Sequence, residues 1–190
     1  MLSLEDIKTQ KKTLRKTMKA RKSTFSSAEK IKKSESIWHN IENLPAFKEA
    51  QTVMLYWSMD DEVYTHDFIE KWHKKKTLLL PAVDGDDLRI KIFDGIGSMR
   101  PGPDFGILEP VGNDYPEPEK IDMIIVPGVA FDHQNNRMGR GRGFYDRLLR
   151  QSNALKVGIC FDFQYIPVVP TEPEDIKMDM VVVEQSDTQK

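Results

Sequence analysis

The alternation of apolar and polar residues predicts two amphipathic helices at the start of the chain. A first helix is indicated by apolar residues at helical spacing, which form one narrow stripe: Leu4, Ile7, Leu14 and Met18. The segment SSAE at 26–29 has the form of a capping box, in which Ser26 caps a second helix and Glu29 reaches back to its amide. This second helix is expected to end near Pro45, with these residues facing inward: Ile31, Trp38, Ile41 and Leu44.

Beyond residue 50, short apolar runs predict strands that alternate with helices. The runs that predict strands are TVMLYW (52–57), TLLLPAV, LRIKIF, IDMIIVPG (121–128), ALKVGICFDF (154–163) and MVVVEQ (180–185). Thr65 is expected to cap a helix through Trp72, and FYDRLLRQ opens a later helix. The turn DGDD separates the second and third strands, while the residues from 95 to 119, rich in Gly, Pro and acids, predict a long surface connection. The tail SDTQ is expected to fray.

Strands that alternate with helices indicate an α/β fold with a largely parallel sheet. The 190 residues fit one domain (1–190), to which a basic helical segment at about 4–22 belongs. Hydrophobic residues make up 39% of the chain and charged residues 31%, a balance typical of a globular protein with one core. No internal repeat is evident.

The net charge, the apolar runs and the single cysteine argue against several classes of protein, among them membrane-spanning and disulfide-bonded proteins. The net charge of −2 does not suggest that the whole molecule binds nucleic acid or a membrane surface, although residues 8–33 carry eleven Lys and Arg against Glu29 alone. No apolar run approaches the roughly 18–20 residues that span a bilayer, and the amino terminus lacks a secretory apolar segment, so a cytoplasmic location is expected. The single cysteine, Cys160, excludes an internal disulfide and lies in an apolar run, which favours a buried structural thiol.

The stretch MGRGRGFYDRLL at 138–149 carries the chemistry that stands out most. Glycines 139, 141 and 143 let backbone amides turn toward an anion, and a helix beginning near Phe144 follows them. Charge-assisted bonds to phosphate oxygens could come from Arg137, Arg140 and Arg142. The stretch is neither a Walker A loop nor a dinucleotide fingerprint. It favours a polyphosphate cradle, and a flexible loop with solvated arginines is the alternative.

Two further features bear on the same hypothesis. Asp146, one turn into the helix, is placed to hold Mg²⁺, a cation that prefers oxygen ligands; alternatively it stabilises the helix start or pairs with Arg150. Lys11 and Arg15 share one face of the first helix, near Lys8 and Lys22, and could reach a nucleotide's phosphates. A solvated helix surface and a nucleic-acid footprint are the other interpretations of this basic row.

Three separated segments, KKTLR (11–15), YWSMDDEVYT (56–65) and VPGVAFDHQNNRMGRGRGFYDRLL (126–149), together resemble the 5-formyltetrahydrofolate cyclo-ligase family. FGILEP (105–110) and IPVVPTEPEDIKMDMVV (166–182) fit the same family in order, so the resemblance spans nearly the whole chain. It implies a single Rossmann-like α/β domain, related to the sugar-phosphate isomerase and CoA-transferase group. A different phosphotransferase and an RNA-binding platform are the competing functions.

The resemblance also implies a reaction. Members of the family use ATP as co-substrate and Mg²⁺ as cofactor to convert 5-formyltetrahydrofolate to 5,10-methenyltetrahydrofolate, releasing ADP and phosphate. The formyl oxygen attacks the γ-phosphate to give an iminium phosphate, and the nitrogen at position 10 then closes the ring. No protein nucleophile is required, so catalysis rests on positioning and charge stabilisation. The expected partners are ATP and 5-formyltetrahydrofolate, polyglutamylated forms included, with no nucleic acid, no membrane and a monomeric state.

By position, the resemblance assigns a role to each matching residue. It implies that ATP contacts Lys11, Lys12, Thr13, Leu14, Arg15, Arg137, Met138, Gly139, Arg140, Gly141, Arg142, Gly143, Phe144 and Tyr145. The folate is expected at Trp57, Glu62, Phe144 and Tyr145, and the metal at Asp146 and Asp179. The residues expected to act in catalysis are Lys11, Arg142 and Asp146. Phe144 stands where the family has tyrosine, so any hydroxyl contact there is lost. Without the resemblance, strand-end solubility is the simpler role for Glu62.

Overall fold

The computed structural model describes residues 3–103 and 106–184. The α-helices in these residues are α1 (Leu4–Lys22), α2 (Ser27–Asn43), α3 (Pro45–Glu49), α4 (His66–Trp72) and α5 (Phe144–Arg150), and short 3-10 helices span Ile96–Ser98, Pro118–Lys120 and Asp162–Gln164. The strands are β1 (Thr52–Met54), β2 (Thr77–Asp84), β3 (Asp87–Ile92), β4 (Met99–Pro101), β5 (Leu108–Pro110), β6 (Met123–Val126), β7 (Ala130–Phe131), β8 (Arg137–Met138), β9 (Leu155–Cys160) and β10 (Met180–Val183). The tail SDTQ lies outside the described residues.

Six strands form one twisted sheet in the order β10-β9-β6-β1-β2-β3. Neighbouring strands are parallel except β2 and β3, which form an antiparallel hairpin around the turn at 84–87. The predicted α/β class with a largely parallel sheet is therefore confirmed. Because β1 pairs with both β2 and β6, the chain leaves β1 in one direction for β2 and returns to its other side for β6.

Apolar side chains cover both faces of the sheet. One face carries the larger core, in which Trp38 of α2 stacks on Phe68 of α4 with ring centroids 4.0 Å apart. The other face packs against α5 and includes Phe131 and Leu149. Cys160 at the end of β9 is fully buried, as predicted from its apolar surroundings, and burial raises the pKa of its thiol well above the usual value.

The first two helices follow the sequence pattern except at their starts. The capping box of α2 is present: Ser26 Oγ accepts from the Glu29 amide at 3.2 Å, and Glu29 accepts from the Ser26 amide at 2.8 Å. Leu4 and Ile31, however, are 58% and 43% exposed rather than inward. The buried residues of α1 begin at Lys11 and those of α2 at Ser34, so both helices extend past the core at their amino ends.

Thr65 occupies the position before α4 but does not cap it with its side chain. Its backbone is helical (φ −109°, ψ −17°) rather than extended, and its hydroxyl donates to the Tyr56 carbonyl at 2.8 Å instead. Thr65 also exchanges hydrogen bonds with Ser58, each side chain accepting from the other's amide. These buried bonds fix the loop that follows β1.

Two small hairpins and the short helix α3 are absent from the sequence-based prediction. The pair β4–β5 lies within the segment expected to be a surface connection, and Met99 in it is 4% exposed. The pair β7–β8 leads directly into the glycine-rich stretch. In the described ranges, no helix has both the length and the apolar character needed to cross a membrane.

Candidate active site

A cavity of about 650 Å³ opens at the carboxyl ends of β1, β2 and β6. Tyr56 and Trp57, which follow β1, line it together with Pro127 and Gly128, which follow β6. From β1 the chain adds β2 and β3 on one side of the sheet and then β6, β9 and β10 on the other, so the strand order changes direction between β1 and β6. Open α/β sheets bind ligands at such a crevice, beyond the carboxyl ends of the strands. The topology thus marks this cavity as the candidate site.

The glycine-rich stretch forms the loop between β8 and α5 and lines the cavity. Gly141 and Gly143 have φ of 111° and 70°, a backbone region that other residues enter only with strain. Arg15 of α1 holds the loop from outside, since its Nε donates to the Gly139 carbonyl at 3.0 Å. A Cβ at Gly141 would lie 3.4 Å from the Arg15 guanidinium carbon. The backbone conformation of the turn therefore requires glycine at 141, whereas the space beside Arg15 would accommodate a Cβ.

The three arginines of this stretch have different environments. Arg137 is buried, and its Nη2 donates to Asp146 at 3.0 Å while Nη1 donates to the Pro127 carbonyl at 3.2 Å. Arg140 forms ion pairs across the cavity rim with carboxylates of the loop after β1. The Arg142 guanidinium lies 4.5 Å from the centroid of the Phe144 ring. The structure therefore gives Arg137 a role in holding Asp146.

Asp146 lines the cavity with its side chain 19% exposed. Its Oδ2 accepts from Arg137, and its Oδ1 accepts from the Ile176 amide at 3.1 Å. Arg150 donates instead to the Glu174 carbonyl at 2.9 Å, so the alternative pairing of Asp146 with Arg150 is not made. Asp146 thereby joins α5 to the segment 172–176 on the cavity wall.

Lys11 is turned inward rather than solvated. Its Nζ lies 2.7 Å from Glu172 Oε2 and 2.6 Å from Asp175 Oδ2, and the side chain is 6% exposed. Lys11 and Arg15 both line the cavity, as the prediction of a shared face requires. The residues between them do not line it: Lys12 and Thr13 are exposed on the outer side of α1, and Leu14 packs on the cluster around Met18.

The predicted folate residues Trp57, Glu62, Phe144 and Tyr145 all line the same cavity. The Trp57 ring stacks on His66 with centroids 3.8 Å apart and planes at 13°. Glu62 is nearly buried; its Oε2 accepts from the Met59 amide at 3.0 Å and its Oε1 from Arg140. The Tyr145 hydroxyl is buried, and this burial together with the nearby Glu62 raises the pKa of the phenol well above its ordinary value. Phe144 lies beside it on the cavity wall.

Several cavity residues escaped the sequence-based prediction. An apolar wall comes from two hairpins, with Pro81, Val83 and Leu88 from β2–β3 and Ile107 and Leu108 from β4–β5. The alternation of Pro81 and Val83 on one face of β2 was the available signal. A second group is acidic and belongs to the segment 172–175, whose role depends on contacts with distant residues.

Asp179 is not brought together with Asp146. It precedes β10 at the amino edge of the sheet, where its Oδ2 accepts from the Lys156 amide at 2.7 Å, whereas the cavity lies at the carboxyl edge. Its side chain is 49% exposed. Among residues 3–103 and 106–184, no group of three or more His, Cys, Asp or Glu side chains is arranged to hold a metal ion.

Comparison with known proteins supplies independent findings. The sequence profile of the 5-formyltetrahydrofolate cyclo-ligase family matches residues 7–184. A 5-formyltetrahydrofolate cyclo-ligase of Haemophilus influenzae is 32% identical over 163 residues, which cover 78% of this chain and 84% of the relative. The Mus musculus 5-formyltetrahydrofolate cyclo-ligase is 28% identical over 192 residues, which cover 93% of this chain and 94% of the relative.

A solved structure agrees with these sequence relatives. The NMR structure of 5,10-methenyltetrahydrofolate synthetase from Aquifex aeolicus superposes with a TM-score of 0.84 at 37% identity. The match covers 93% of this chain and 90% of that one.

Proposed function

This chain belongs to the 5-formyltetrahydrofolate cyclo-ligase family, and as an enzyme of that family we propose that it binds 5-formyltetrahydrofolate and ATP side by side in the central cavity. The product is 5,10-methenyltetrahydrofolate. One observation carries the proposal: the glycine-rich loop and Glu62 line the same cavity. A cavity of about 650 Å³ that is lined by both charged and apolar residues suits two substrates of unlike character.

The ATP phosphates are proposed to lie against the glycine-rich loop. Backbone amides around Gly141 and Gly143 would donate to phosphate oxygens, as turns with left-handed residues do in anion sites. Arg15, already bonded to the Gly139 carbonyl, would add positive charge from α1. Phosphate oxygens would replace one of the two carboxylates that Lys11 now contacts. The Lys11 ammonium would therefore exchange a protein carboxylate for a phosphate oxygen when ATP binds.

The pterin is proposed to lie between Trp57, Glu62 and Tyr145. Glu62 Oε1 accepts two hydrogen bonds from Arg140 and Oε2 accepts one from the Met59 amide, so Oε2 keeps a lone pair for a ring NH or amino donor of the pterin. The apolar wall of Val83, Leu88 and Leu108 would cover the rest of the folate and keep water from the reacting groups. Phe144 would border the pterin through its ring alone.

Mg²⁺ is proposed to enter with the ATP phosphates and to use Asp146 as its protein ligand. Mg²⁺ in nucleotide sites is commonly held by one or two carboxylates together with phosphate oxygens and waters, so a cluster of three acids is not needed. Asp146 fits because it lines the cavity and each of its oxygens keeps a free lone pair beside its one hydrogen bond. When bound, the cation would offset negative charge on the transferring phosphoryl group. Asp179 does not line the cavity and has no part in this proposal.

The reaction proposed for this geometry needs no protein nucleophile. The formyl oxygen attacks the γ-phosphorus, the new O–P bond forms as the bond to the β–γ bridging oxygen breaks, and ADP leaves. The nitrogen at position 10 then attacks the activated formyl carbon and releases its proton to solvent or to the departing phosphate, and the ring closes as the carbon–oxygen bond to phosphate breaks. Lys11, Arg15 and the loop amides hold the phosphates in line, and Glu62 fixes the pterin against them.

The remaining expectations are part of the same proposal. We infer that the chain acts in the cytoplasm as a monomer of one domain, and that polyglutamylated folates are accepted. Size-exclusion chromatography with light scattering would test the oligomeric state, and a dimer at assay concentration would contradict it.

The test of the proposed site is a comparison of two Michaelis constants for Glu62→Ala. Product formation from 5-formyltetrahydrofolate, ATP and Mg²⁺ is followed by the ultraviolet absorbance of the methenyl product. We expect KM for the folate to rise by about tenfold or more, because a charged hydrogen-bonding group is removed, while KM for ATP changes little. Glu35→Ala, at an exposed position of α2, is the control. An equal rise in both constants would contradict the assignment of Glu62.

A further inference from the structure

A row of four charged side chains crosses the rim of the cavity from α1 to the folate wall. Lys22 Nζ lies 3.4 Å from Asp61 Oδ2, and Asp61 Oδ1 lies 2.6 Å from Arg140 Nη2. The same Arg140 Nη2 lies 3.0 Å from Glu62 Oε1, and Arg140 Nε donates to that oxygen at 3.3 Å. The row therefore joins the last turn of α1, the loop after β1 and the glycine-rich loop.

The outer two members of this row do not face the substrates. Lys22 and Asp61 are absent from the cavity lining, whereas Arg140 and Glu62 belong to it. Lys22 is 5% exposed even though it ends a helix, so its ammonium is buried against Asp61. A buried charge of this kind is costly without a partner, which indicates that the contact is specific rather than a solvated surface pair.

The charges of the row support one another. Burial acts to raise the pKa of the Asp61 carboxyl, but Lys22 and Arg140 outweigh it and hold that pKa below its usual range. Burial lowers the pKa of Lys22, and Asp61 acts in the opposite direction. Asp61 is consequently anionic at neutral pH and binds two cations, one from each side.

We propose that Asp61 and Lys22 are positioning residues that fix Arg140 against Glu62 and so set the glycine-rich loop and the folate carboxylate in one arrangement. The inference rests on the proposed function, in which Glu62 binds the pterin and the loop binds phosphates. Arg140 needs an anchor because its side chain is 48% exposed and lies on a loop. Asp61 supplies the anchor, and Lys22 orients Asp61 from the side away from Arg140.

The arrangement has a consequence for the two substrates. Arg140 belongs to the loop assigned to ATP, while Glu62 belongs to the wall assigned to the folate, and one guanidinium joins them. A substrate that orders either side thereby favours the geometry that the other side requires, and such coupling is reciprocal. Asp61 acts on both through Arg140 without touching either substrate.

Asp61→Asn tests the inference because it keeps the shape of the side chain and removes its charge. We expect KM for 5-formyltetrahydrofolate to rise about tenfold, the scale of one lost charge-assisted hydrogen bond, with kcat within about twofold of wild type. A merely structural defect would lower the active fraction and hence kcat rather than KM. Asp60→Asn, the same change at the exposed neighbouring residue, is the matched control and is expected to match wild type.

Lys22→Met removes the cation that pairs with Asp61 at a position outside the cavity, and it is the second test variant if Asp61→Asn folds poorly. It is expected to raise the folate KM in the same direction, whereas Lys19→Met, at an exposed position of the same helix, is expected to have no effect. In a Glu62→Gln background, Asp61→Asn should change the folate KM by less than about twofold, because both residues act through one contact.

The outcomes separate the inference from the function on which it rests. If Glu62→Gln raises the folate KM while Asp61→Asn and Lys22→Met leave it at the wild-type value, the inference is overturned and the proposed function stands. Full additivity of Asp61→Asn and Glu62→Gln also overturns the inference. If Glu62→Gln itself leaves the folate KM unchanged, the assignment of Glu62 fails, and the inference fails with it.

Discussion

At the scale of single residues, Asp146 illustrates how much a contact depends on its distant partners. The sequence placed this acid one turn into α5, which left metal binding, helix stabilisation and a pair with Arg150 all open. The structure makes two other contacts, with the buried Arg137 and with the Ile176 amide. Neither follows from local spacing, because Ile176 is brought near only by the fold.

Asp146→Asn is expected to impair Mg²⁺-dependent turnover while the protein stays folded. Asparagine can still accept from the Ile176 amide, but it lacks the negative charge that Arg137 and the proposed cation need. We expect kcat/KM to fall about 100-fold and the free energy of unfolding to fall by about 1–3 kcal/mol. Turnover as a function of Mg²⁺ concentration, with chemical unfolding as the control, measures both. Near-normal activity would remove Asp146 from the metal site.

His66 gives a pH-dependent prediction. Burial lowers the pKa of its imidazole below 6.5, although the Ser58 carbonyl and two acids act against this, so the folded state binds a proton less readily than the unfolded chain. The free energy of unfolding should therefore be unaffected by His66 at pH values above the pKa that this histidine has in the unfolded chain. It should fall as the pH drops below that pKa. Urea unfolding at about pH 5 and 7.5 is expected to show a smaller pH difference for His66→Asn than for wild type. An unchanged difference would contradict the prediction, and His39→Asn at an exposed site is the control.

At the scale of elements, α1 shows what a charge pattern alone leaves open. Its many basic residues suggested a solvated face, a phosphate site or a nucleic-acid footprint. The structure divides the helix: Lys11, Arg15 and Lys22 turn toward the protein and bind its acids or carbonyls, while Lys12, Lys16 and Lys19 are exposed. An inward row of paired cations weakens the RNA-platform interpretation and favours a role in the cavity.

Lys11→Met tests the inward face of α1. The substitution keeps the length of the side chain but leaves Glu172 and Asp175 without their shared cation on the cavity wall. We expect affinity for ATP to fall about tenfold or more, because a cation is lost and two carboxylates then repel the phosphates. Lys16→Met, exposed on the same helix, is expected to bind ATP normally. Equal affinities for both variants, measured by calorimetry, would contradict this role.

The long elements were predictable because their signals are local. Hydrophobic periodicity gave α1, α2 and the buried strands, and the capping box located the start of α2. The hairpins β4–β5 and β7–β8 were not predicted, because strands of two or three residues show no periodicity and exist through pairing across a turn. Thr65 was placed correctly at the start of α4, but its hydroxyl bonds the loop after β1. The contact with the Tyr56 carbonyl, which lies nine residues earlier in the chain, determines the orientation of the Thr65 side chain.

At the scale of the whole molecule, the order of the strands creates the site. Residues that are distant in the sequence meet because β1 and β6 are neighbours whose carboxyl ends open on one crevice. The motif residues Glu62, Arg140 and Asp146 were predicted from the sequence and all line it. Asp179 was predicted with them but lies at the opposite edge, because it precedes its strand rather than following one. The apolar wall was missed in part: the alternation of Pro81 and Val83 in β2 was visible in the sequence, but the contribution of the unpredicted hairpin β4–β5 was not.

The central claim is that the glycine-rich loop, helped by α1, holds a nucleotide triphosphate in this cavity. Calorimetric titration of Mg-ATP into the purified wild-type protein, with and without 5-formyltetrahydrofolate, tests it most directly. Binding is expected in the wild type and about tenfold weaker binding in Gly141→Ala, whose left-handed backbone (φ 111°) disfavours a side chain. Gly97→Ala, where a Cβ meets nothing within 4 Å, should bind as the wild type does. No detectable binding of Mg-ATP to the wild type, with the folate present or absent, would contradict the account.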